Sequence, residues 1–334
     1  MKVPAVGIRR IGVVGGGAWG TALANAAALA GREVVLWMRD VDAARRLRDA
    51  RENARYLPGV RLQARVTPTA DPALLRLADA VLLVVPAQAV RAVAQAIAVT
   101  LPPQTPAVVC AKGIERGTGL FLSNVVREVR PGAPVAVLSG PSFADDVARG
   151  LPTAVTLACE DEPLAEAIAA ALSGPGLRLY RNTDVRGVEI GGAAKNVLAI
   201  ACGAVAGRGL GESARAALTA RGFAELMRFA RVYGGEPETL MGLSGLGDLV
   251  LTCGSVHSRN FAVGERLGRG VPVADAAGGK LAEGAFTAAV LVDLARAKEV
   301  DMPIAEAVDA VIAGRSTMDE AIEGLMSRPL KAEH

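Results

Sequence analysis

Histidine and cysteine are scarce in this chain, and their scarcity excludes several kinds of chemistry. Among the 334 residues, only His257 and the terminal His334 are histidines, so a histidine-based mechanism would depend on His257 alone. The four cysteines lie far apart, at positions 110, 159, 202 and 253. Because they show no paired spacing, they argue against a zinc site or a disulfide framework. They fit a cytoplasmic protein that holds no metal.

An excess of charge of one sign and a long hydrophobic run are also missing. The 37 basic residues nearly balance the 34 acidic ones, and no basic run is flanked by the aromatic residues on which nucleic-acid bases stack. The longest apolar stretches, 18–31 and 197–207, are too short to span a bilayer, and residues 1–10 lack the features of a signal peptide. We therefore expect neither nucleic-acid binding nor membrane insertion.

The pattern of apolar residues divides the chain into two parts. Up to about residue 184, short apolar runs alternate with helical stretches, which predicts an α/β domain with a doubly wound parallel sheet. The predicted strands are 11–16, 33–38, 80–85, 107–110, 135–138, 154–159 and 177–180. After residue 187, alanine- and leucine-rich stretches separated by glycine predict helices only. The expected domains are 1–186 and 187–334.

A glycine-rich turn connects the first predicted strand to the first helix. Residues 15–20 (GGGAWG) match the pattern G-x-G-x-x-G, which is informative when it ends a strand and opens a helix. Gly15 would permit a tight turn, Gly17 the close approach of a pyrophosphate, and Gly20 close helix–strand packing. The first N–H groups of the helix would face the phosphates. This segment predicts binding of NAD or NADP, the alternative being a glycine turn that binds nothing.

Two charged residues after the second predicted strand bear on the choice of cofactor. Asp40 stands twenty residues after Gly20, near the place of an acidic residue that binds the adenosine ribose of NAD. Arg39 precedes it and could accept the 2′-phosphate of NADP. Both are also typical of a solvated loop at a strand end, so the sequence leaves the preference open.

Lysine is rare, which draws attention to the two lysines in the interior of the sequence motifs. Only six of the 37 basic residues are lysines. Reduction of a carbonyl needs a proton donor to the forming alkoxide, and desolvation can lower the pKa of a lysine for this task. Lys195 is our candidate for that proton donor. Lys112 could stabilise the developing negative charge, and Asp248 could orient the lysine amines and balance their positive charge. The plainer interpretations are solvated lysines and an aspartate that only caps a helix.

The remaining candidate segments follow strands or begin helices. Residues 110–115 (CAKGIE) and 139–144 (SGPSFA) follow predicted strands, whose carboxyl ends bind ligands in such sheets. Residues 258–260 (SRN) open a helix, a suitable place for a phosphate monoester. Ser258 could equally be only a helix cap.

Taken together, seven segments resemble the bacterial NAD(P)-dependent glycerol-3-phosphate dehydrogenases in order and spacing. They are GGGAWGTALA (15–24), CAKGIE (110–115), SGPSFA (139–144), GGAAKNVLAI (191–200), GLGDLVLTC (245–253), SRN (258–260) and KLAEG (280–284). The resemblance implies a Rossmann-type N-terminal domain and an α-helical C-terminal domain of the 6-phosphogluconate-dehydrogenase-like kind. It also implies a cytoplasmic homodimer that supplies phospholipid synthesis by interconverting dihydroxyacetone phosphate and sn-glycerol 3-phosphate.

Carried over by position, the resemblance assigns roles to individual residues. Lys195 matches the family's proton acceptor. The residues that match contacts to the small phosphate substrate are Lys112, Gly140, Ser142, Lys195, Asp248, Ser258, Arg259 and Asn260. Those that match cofactor contacts, besides the glycines of the turn, are Ala18, Trp19, Arg39, Lys112, Ala144, Arg259, Leu281 and Glu283.

The sequence departs from the family pattern at two places, and it leaves three alternative functions open. Gly16 stands where the family more often has alanine, and Ala-Phe-Thr follows residue 284 where Tyr-Arg-Thr is more usual. The alternatives are a β-hydroxyacid dehydrogenase, a ketopantoate-type reductase, and a dinucleotide sensor without activity. The first two would recognise a carboxylate, and the sensor would not need Lys112, Lys195 and Asp248 together.

Overall fold

The computed structural model describes residues 7–276 and 283–329, and one eight-stranded sheet forms its N-terminal part. The strands are β1 (Arg10–Val14), β2 (Glu33–Trp37), β3 (Val66–Thr69), β4 (Ala80–Leu83), β5 (Ala107–Val109), β6 (Val135–Ser139), β7 (Thr153–Ala158) and β8 (Leu177–Asn182). Their spatial order is β3-β2-β1-β4-β5-β6-β7-β8. The order reverses direction between β1 and β4, and ligands bind at such a switch point in doubly wound sheets.

One pair of strands departs from the predicted parallel arrangement. β6 and β7 are antiparallel, whereas every other neighbouring pair is parallel. The connection between them holds only the five-residue helix Ala144–Ala148, which is about 8 Å long at 1.5 Å per residue. Because so short a helix cannot carry the chain back along the sheet, β7 enters from the same edge at which β6 ends.

Helices cover both faces of the sheet and then form the rest of the molecule. Those of the N-terminal part are α1 (Ala18–Leu29), α2 (Val41–Ala50), α3 (Val90–Ala98), α4 (Leu122–Val129), α5 (Ala144–Ala148) and α6 (Glu162–Leu172). Those that follow are α7 (Val185–Gly207), α8 (Glu212–Val232), α9 (Pro237–Met241), α10 (Asp248–Cys253), α11 (Arg259–Gly268), α12 (Val273–Ala276), α13 (Glu283–Ala297), α14 (Pro303–Ile312) and α15 (Met318–Met326). In the described residues after Asn182 there is no strand. The predicted fold class, a Rossmann-type sheet followed by a helical part, is confirmed.

Two elements near the cofactor end were missing from the sequence-based expectation. Helix α2 carries few apolar residues and buries only Ala44 and Leu47. Strand β3 contains Pro68, which has no N–H to donate to a sheet. It lies at the edge of the sheet, where proline is tolerated.

Helix α7 corrects the expectation that every apolar stretch is too short to cross a bilayer. It has 23 residues, and its most apolar window has a mean hydropathy of 1.4, so by length and composition alone it could span a membrane. However, 83% of that window is buried inside the protein. Glycines bring its neighbour α11 into backbone contact, because a Cβ on Gly203 would lie 2.1 Å from the Phe261 carbonyl oxygen. The apolar character of α7 therefore reflects its place in the core of the helical part.

Candidate active site

The glycine turn between β1 and α1 has the shape that a dinucleotide needs. Gly15 has a φ of +122°, and a Cβ there would lie 2.2 Å from the Val84 carbonyl oxygen. A Cβ on Gly20 would lie 1.8 Å from the Gly15 carbonyl oxygen, whereas one on Gly17 would meet no atom within 4 Å. Gly15 and Gly20 thus permit the tight packing, and Gly17 leaves open space against the backbone. The turn fits a pyrophosphate approaching the N-terminus of α1.

The departure at Gly16 has a structural counterpart in Met38. A Cβ on Gly16 would lie 2.5 Å from the Met38 Cε atom, so the methionine occupies the space that the more usual alanine methyl would take. Since only the end of a flexible side chain is involved, alanine here would require Met38 to move and would leave the turn intact.

Further predicted cofactor contacts lie around the same turn and after β2. Ala18 and Trp19 are the first two residues of α1, and both are half-buried. Arg39 follows β2, is exposed, and forms no ion pair within the described ranges. Asp40 accepts a hydrogen bond of 2.9 Å from the Ala43 N–H at the start of α2, and this bond lowers the pKa of its carboxyl group. The Asp40 carboxylate is thus already engaged as a helix cap.

Both candidate lysines contact the same carboxylate. Asp248 is 1% exposed, and its Oδ2 accepts a bond of 2.6 Å from Lys112 Nζ. Its Oδ1 accepts a hydrogen bond from Lys195 Nζ, which also donates to Thr252 Oγ1 at 2.8 Å. Lys112 Nζ donates a further bond of 3.0 Å to the Gly140 carbonyl oxygen. The structure thus joins the loop after β5, the end of β6, and helices α7 and α10 at one point.

Burial sets the protonation behaviour of Lys195. The residue is only 6% exposed, and loss of solvation lowers its pKa to about 8, with the positive charge of Lys112 acting in the same direction. The negative charge of Asp248 opposes this fall. An amine with a pKa near 8 can both donate and accept a proton close to neutral pH, which a solvated lysine cannot do.

Glycines place Asp248 deep enough to reach the lysines. The segment Leu243–Gly247 forms a turn of π-helix directly before α10. A Cβ on Gly245 would lie 1.9 Å from the Leu240 carbonyl oxygen, and one on Gly191 of α7 would lie 2.5 Å from the Ser244 carbonyl oxygen. A side chain at Gly191 would push the turn away from α7, and one at Gly245 would push it away from the end of α9. The buried pairing with two lysines also shows that Asp248 is more than an exposed helix cap.

Two residues of this region were missed by the sequence reasoning. Thr252, which bonds to Lys195, lies four residues after Asp248 and hence on the same face of α10. That spacing could have indicated it. Gln88 holds the loop of Lys112, because its amide nitrogen donates to the Ile114 carbonyl oxygen at 2.8 Å and its oxygen accepts from the Arg116 N–H at 2.9 Å. No motif in the sequence marks Gln88.

The loop after β6 forms another wall. Ser142 Oγ donates to the Gly140 carbonyl oxygen at 3.1 Å, next to the bond from Lys112. Ser139 is 4% exposed, and its Oγ has no hydrogen-bond partner in the part of the chain that the structure describes. A Cβ on Gly192 would lie 2.6 Å from this oxygen and 3.5 Å from Lys112 Cγ. Ser139 therefore faces α7 beside the Lys112 stem. Ala144 is the first residue of α5, which packs against α1.

The predicted phosphate and nicotinamide contacts lie at the start of two further helices. Ser258 Oγ accepts from the Phe261 N–H at 3.2 Å and caps α11, and Asn260 Oδ1 accepts from the Gly284 N–H at 3.0 Å. Arg259 is exposed at the first position of α11. Glu283 accepts from the Ala87 N–H at 3.1 Å, and burial raises the pKa of its carboxyl group. Leu281 lies outside the described residues.

The structure also places the scarce histidine and cysteine side chains. His257 is exposed, and its ring meets the ring of Phe143 edge-on. All four cysteines are buried free thiols. Burial raises the pKa of Cys110, whereas the hydrogen bond with Cys202, together with burial, raises that of Cys253. Both effects disfavour the reactive thiolate form at these two positions.

Comparison with known proteins identifies the family. The family model described as the NAD-dependent glycerol-3-phosphate dehydrogenase N-terminus matches residues 10–165, and that described as the C-terminus matches residues 184–323. The chain is 65% identical over 324 residues to glycerol-3-phosphate dehydrogenase (NAD(P)+) of Methylobacterium radiotolerans, covering 97% of this chain and 98% of that relative. It is 64% identical over 324 residues to the protein of the same name from Azorhizobium caulinodans, with the same coverage.

Solved structures agree with this result. The crystal structure of glycerol-3-phosphate dehydrogenase from Coxiella burnetii is similar with a TM-score of 0.92 and 37% identity, covering 96% of this chain and 99% of that one. A ketopantoate reductase from Ralstonia eutropha has a TM-score of 0.58 at 18% identity, which shows a shared fold only. The resemblance inferred from the seven segments is confirmed: this chain belongs to the NAD-dependent glycerol-3-phosphate dehydrogenase family.

Proposed function

We propose that this protein interconverts dihydroxyacetone phosphate and sn-glycerol 3-phosphate with NAD or NADP. The observation that carries the proposal is the buried cluster of Lys112, Lys195 and Asp248 between the carboxyl ends of the strands and the helical part. Relatives that bear the name of this activity are 60–65% identical over nearly the whole chain. A chain that only sensed dinucleotides would not need two lysines on one buried carboxylate.

Lys195 is the proposed general acid and base. When bound, the nicotinamide supplies or accepts the hydride at C2 of the substrate. In reduction, the Lys195 ammonium donates a proton to the C2 oxygen. In the reverse direction, the neutral amine accepts it. With a pKa of about 8, both the ammonium and the neutral amine of Lys195 are populated near neutral pH. General acids work best with a pKa close to the working pH.

Lys112 and Asp248 prepare the electrostatics of the same step. Lys112 Nζ donates to Asp248 and to the Gly140 carbonyl oxygen, which leaves its third N–H for a substrate oxygen that gains negative charge. Asp248 keeps both ammonium groups in position and balances part of their charge. Gly140 and Ser142 border this point and are the proposed contacts to the substrate's other oxygens.

The phosphate group is proposed to bind at the start of α11. Arg259 supplies an exposed cation there, and the N-terminus of a ten-residue helix favours an anion. The Ser258 hydroxyl and the Asn260 amide each use an oxygen to accept a backbone N–H. Their hydrogens therefore remain for the phosphate oxygens.

For the cofactor, we propose contacts along the switch point of the sheet. The pyrophosphate meets Gly15, Gly17, Ala18, Trp19 and Gly20, and the nicotinamide side meets Lys112, Ala144, Arg259, Leu281 and Glu283. On the adenosine side, Arg39 is exposed while the Asp40 carboxylate is engaged by Ala43. That arrangement favours acceptance of a 2′-phosphate, so we propose that both NADH and NADPH serve.

Four further proposals complete the function. The division into a dinucleotide-binding domain (1–186) and a substrate-binding domain (187–334) rests on the change in the apolar pattern of the sequence. A homodimeric state, a cytoplasmic location and a role in supplying glycerophospholipid synthesis rest on the family resemblance. Size-exclusion chromatography with light scattering would test the dimer directly.

The test of the activity uses the purified protein and the absorbance of the reduced nicotinamide. NADH and NADPH are each offered with dihydroxyacetone phosphate and, separately, with a panel of 2- and 3-keto acids. Oxidation with the phosphate ketone alone supports the proposal, and oxidation only with keto acids refutes it. Lys195→Ala should abolish turnover while dinucleotide affinity stays unchanged. Dinucleotide binding by the wild type without turnover on any substrate would favour a sensor.

A further inference from the structure

Asn53 lies in the connection between α2 and β3 and contacts the glycine turn on the side opposite to its open face. Its side-chain amide nitrogen donates to the Gly16 carbonyl oxygen at 3.0 Å and to Thr21 Oγ1 at 2.7 Å. Thr21 is almost fully buried on α1, and its hydroxyl donates in turn to the Gly17 carbonyl oxygen at 2.9 Å. Both amide hydrogens of Asn53 are thus used, and two successive peptide carbonyls of the turn are held on one side.

Holding a carbonyl also fixes the N–H of the same peptide. A trans peptide is planar, and its C=O and N–H point in opposite directions; the described residues contain no cis peptide. With the Gly16 oxygen directed at Asn53, the Gly17 N–H must point away from Asn53. With the Gly17 oxygen directed at Thr21, the same argument applies to the Ala18 N–H.

The outward side of these peptides is the open side of the turn. A Cβ added to Gly17 would meet no atom within 4 Å, and the Gly17 N–H has no acceptor among the residues described here. This is where the pyrophosphate would approach. Because two glycines flank the peptide bond between residues 16 and 17, the peptide could flip at little steric cost if nothing held it.

We propose that Asn53 is a positioning residue for the dinucleotide: it holds the Gly16–Gly17 peptide in the orientation that presents its N–H to the pyrophosphate. This inference rests on the proposed use of NAD or NADP. Asn53 itself does not touch the cofactor. It acts on affinity by removing the peptide orientation that would present a carbonyl oxygen to the phosphates.

The chain offers a matched control in Asn25. Asn25 also makes two hydrogen bonds between α1 and the connection that carries Asn53, to the Arg61 carbonyl oxygen and from the Gln63 N–H, both at 3.0 Å. It does not bond to the glycine turn. Asn25→Ala therefore loosens the same connection without freeing the peptide. Asn53→Asp keeps the side chain's size but removes its donors and adds a negative charge.

The experiment is a titration of each purified variant with NADH and NADPH, followed by nucleotide fluorescence without substrate, beside thermal unfolding. Asn53→Ala should raise the Kd by about three- to tenfold, the range expected for one lost hydrogen bond. Asn53→Asp should raise it at least as much, since a carboxylate would face the Gly16 oxygen. Asn25→Ala should lower the Tm and leave the Kd near the wild-type value.

A second readout reports on the free protein. In the wild type, hydrogen exchange at the Gly17 amide should reflect one exposed, outward orientation, and Asn53→Ala should change it without any cofactor. Wild-type Kd values in both Asn53 variants, or an equal loss of affinity in Asn25→Ala, would overturn the inference. Failure of the wild type to bind either nucleotide would instead refute the proposed function, and the inference with it.

Discussion

Replacement of Asp248 by asparagine should separate the charge of this residue from its shape. The carboxylate accepts hydrogen bonds from Lys195 and Lys112, and its charge raises the pKa of Lys195 against the effect of burial. Two unit charges about 4 Å apart interact by about 4 kcal/mol at an effective dielectric constant of about 20. At about 1.4 kcal/mol per pKa unit, Asp248→Asn should lower the pKa of Lys195 by about two to three units from its value of about 8.

The pH dependence of kcat/KM should be opposite for reduction and for oxidation. With Lys195 as the proposed proton donor, reduction of dihydroxyacetone phosphate requires the protonated amine, so wild-type kcat/KM should fall as the pH rises through about 8. In Asp248→Asn this fall should move to about pH 5 to 6. Oxidation of glycerol 3-phosphate needs the neutral amine, so its kcat/KM should reach its plateau at a lower pH in the variant.

The assay is a pH profile of kcat/KM in both directions for the wild type, Asp248→Asn and a control. Glu115→Gln is the control because Glu115 lies in the loop of Lys112 but pairs with Arg91, not with Lys195. Its profile should match the wild type. A profile of Asp248→Asn that still breaks near pH 8 in both directions would refute the electrostatic role of Asp248.

Three further outcomes follow from the structure. Gly17→Ala should weaken dinucleotide binding with an unchanged Tm, because its methyl group enters open space. Gly20→Ala should destabilise the fold by about 1–3 kcal/mol, because its methyl group would meet the Gly15 carbonyl oxygen. Equal Tm values for these two variants would contradict this expectation. Burial raises the pKa of Glu225, which is 2% exposed, to about 7. The stability it contributes is present below about pH 4.5 and is lost as the pH rises through about 7, by about 3–4 kcal/mol at about 1.4 kcal/mol per pKa unit. Glu225→Gln should remove that part of the pH dependence in urea unfolding. Ser139→Ala should leave the Tm unchanged or raise it, since no partner among the described residues is lost. Ser123→Ala should lower the free energy of unfolding by about 1–3 kcal/mol, because Ser123 Oγ donates to buried Glu189 at 2.7 Å. A lower Tm in Ser139→Ala would show a hidden partner.

Much of the fold was accessible to sequence reasoning because local patterns and global topology agree. Helix α11 begins at Arg259, where the segment 258–260 predicts the start of a helix, because Ser258 supplies its cap. The antiparallel β7 could not be predicted in this way. Its direction depends on how far the short helix α5 carries the chain, and the apolar pattern of a strand is the same in either direction.

The candidate site shows a similar limit. Lys112, Lys195 and Asp248 were chosen for their residue types, and the structure brings all three into contact. The sequence could not show that both lysines would bond to one carboxylate, since 136 residues separate Lys112 from Asp248. Asn53 carries no sequence signal either, because its role depends on a turn packed against α1 from a distant connection.

The charge of the cluster leads to a final consequence for Asp248→Asn. With both lysines protonated, the two ammonium groups outnumber the Asp248 carboxylate, and the exposed Arg259 adds a further cation at α11. The buried Glu283 carboxyl also interacts with these three cations. If the substrate binds here as proposed, its phosphate, chiefly a monoanion at the low pH that this variant requires, would reduce the excess positive charge and so contribute to the substrate's binding free energy. At a pH low enough to keep Lys195 protonated in Asp248→Asn, the variant's cluster is more positive than that of the wild type. There the KM for dihydroxyacetone phosphate should fall while kcat falls as well, because Lys195 is no longer held in place. A rise in the KM of the variant at that pH would show that Asp248 binds the substrate chiefly by direct contact. The electrostatic effect of its charge on the two lysines would then be secondary for substrate binding.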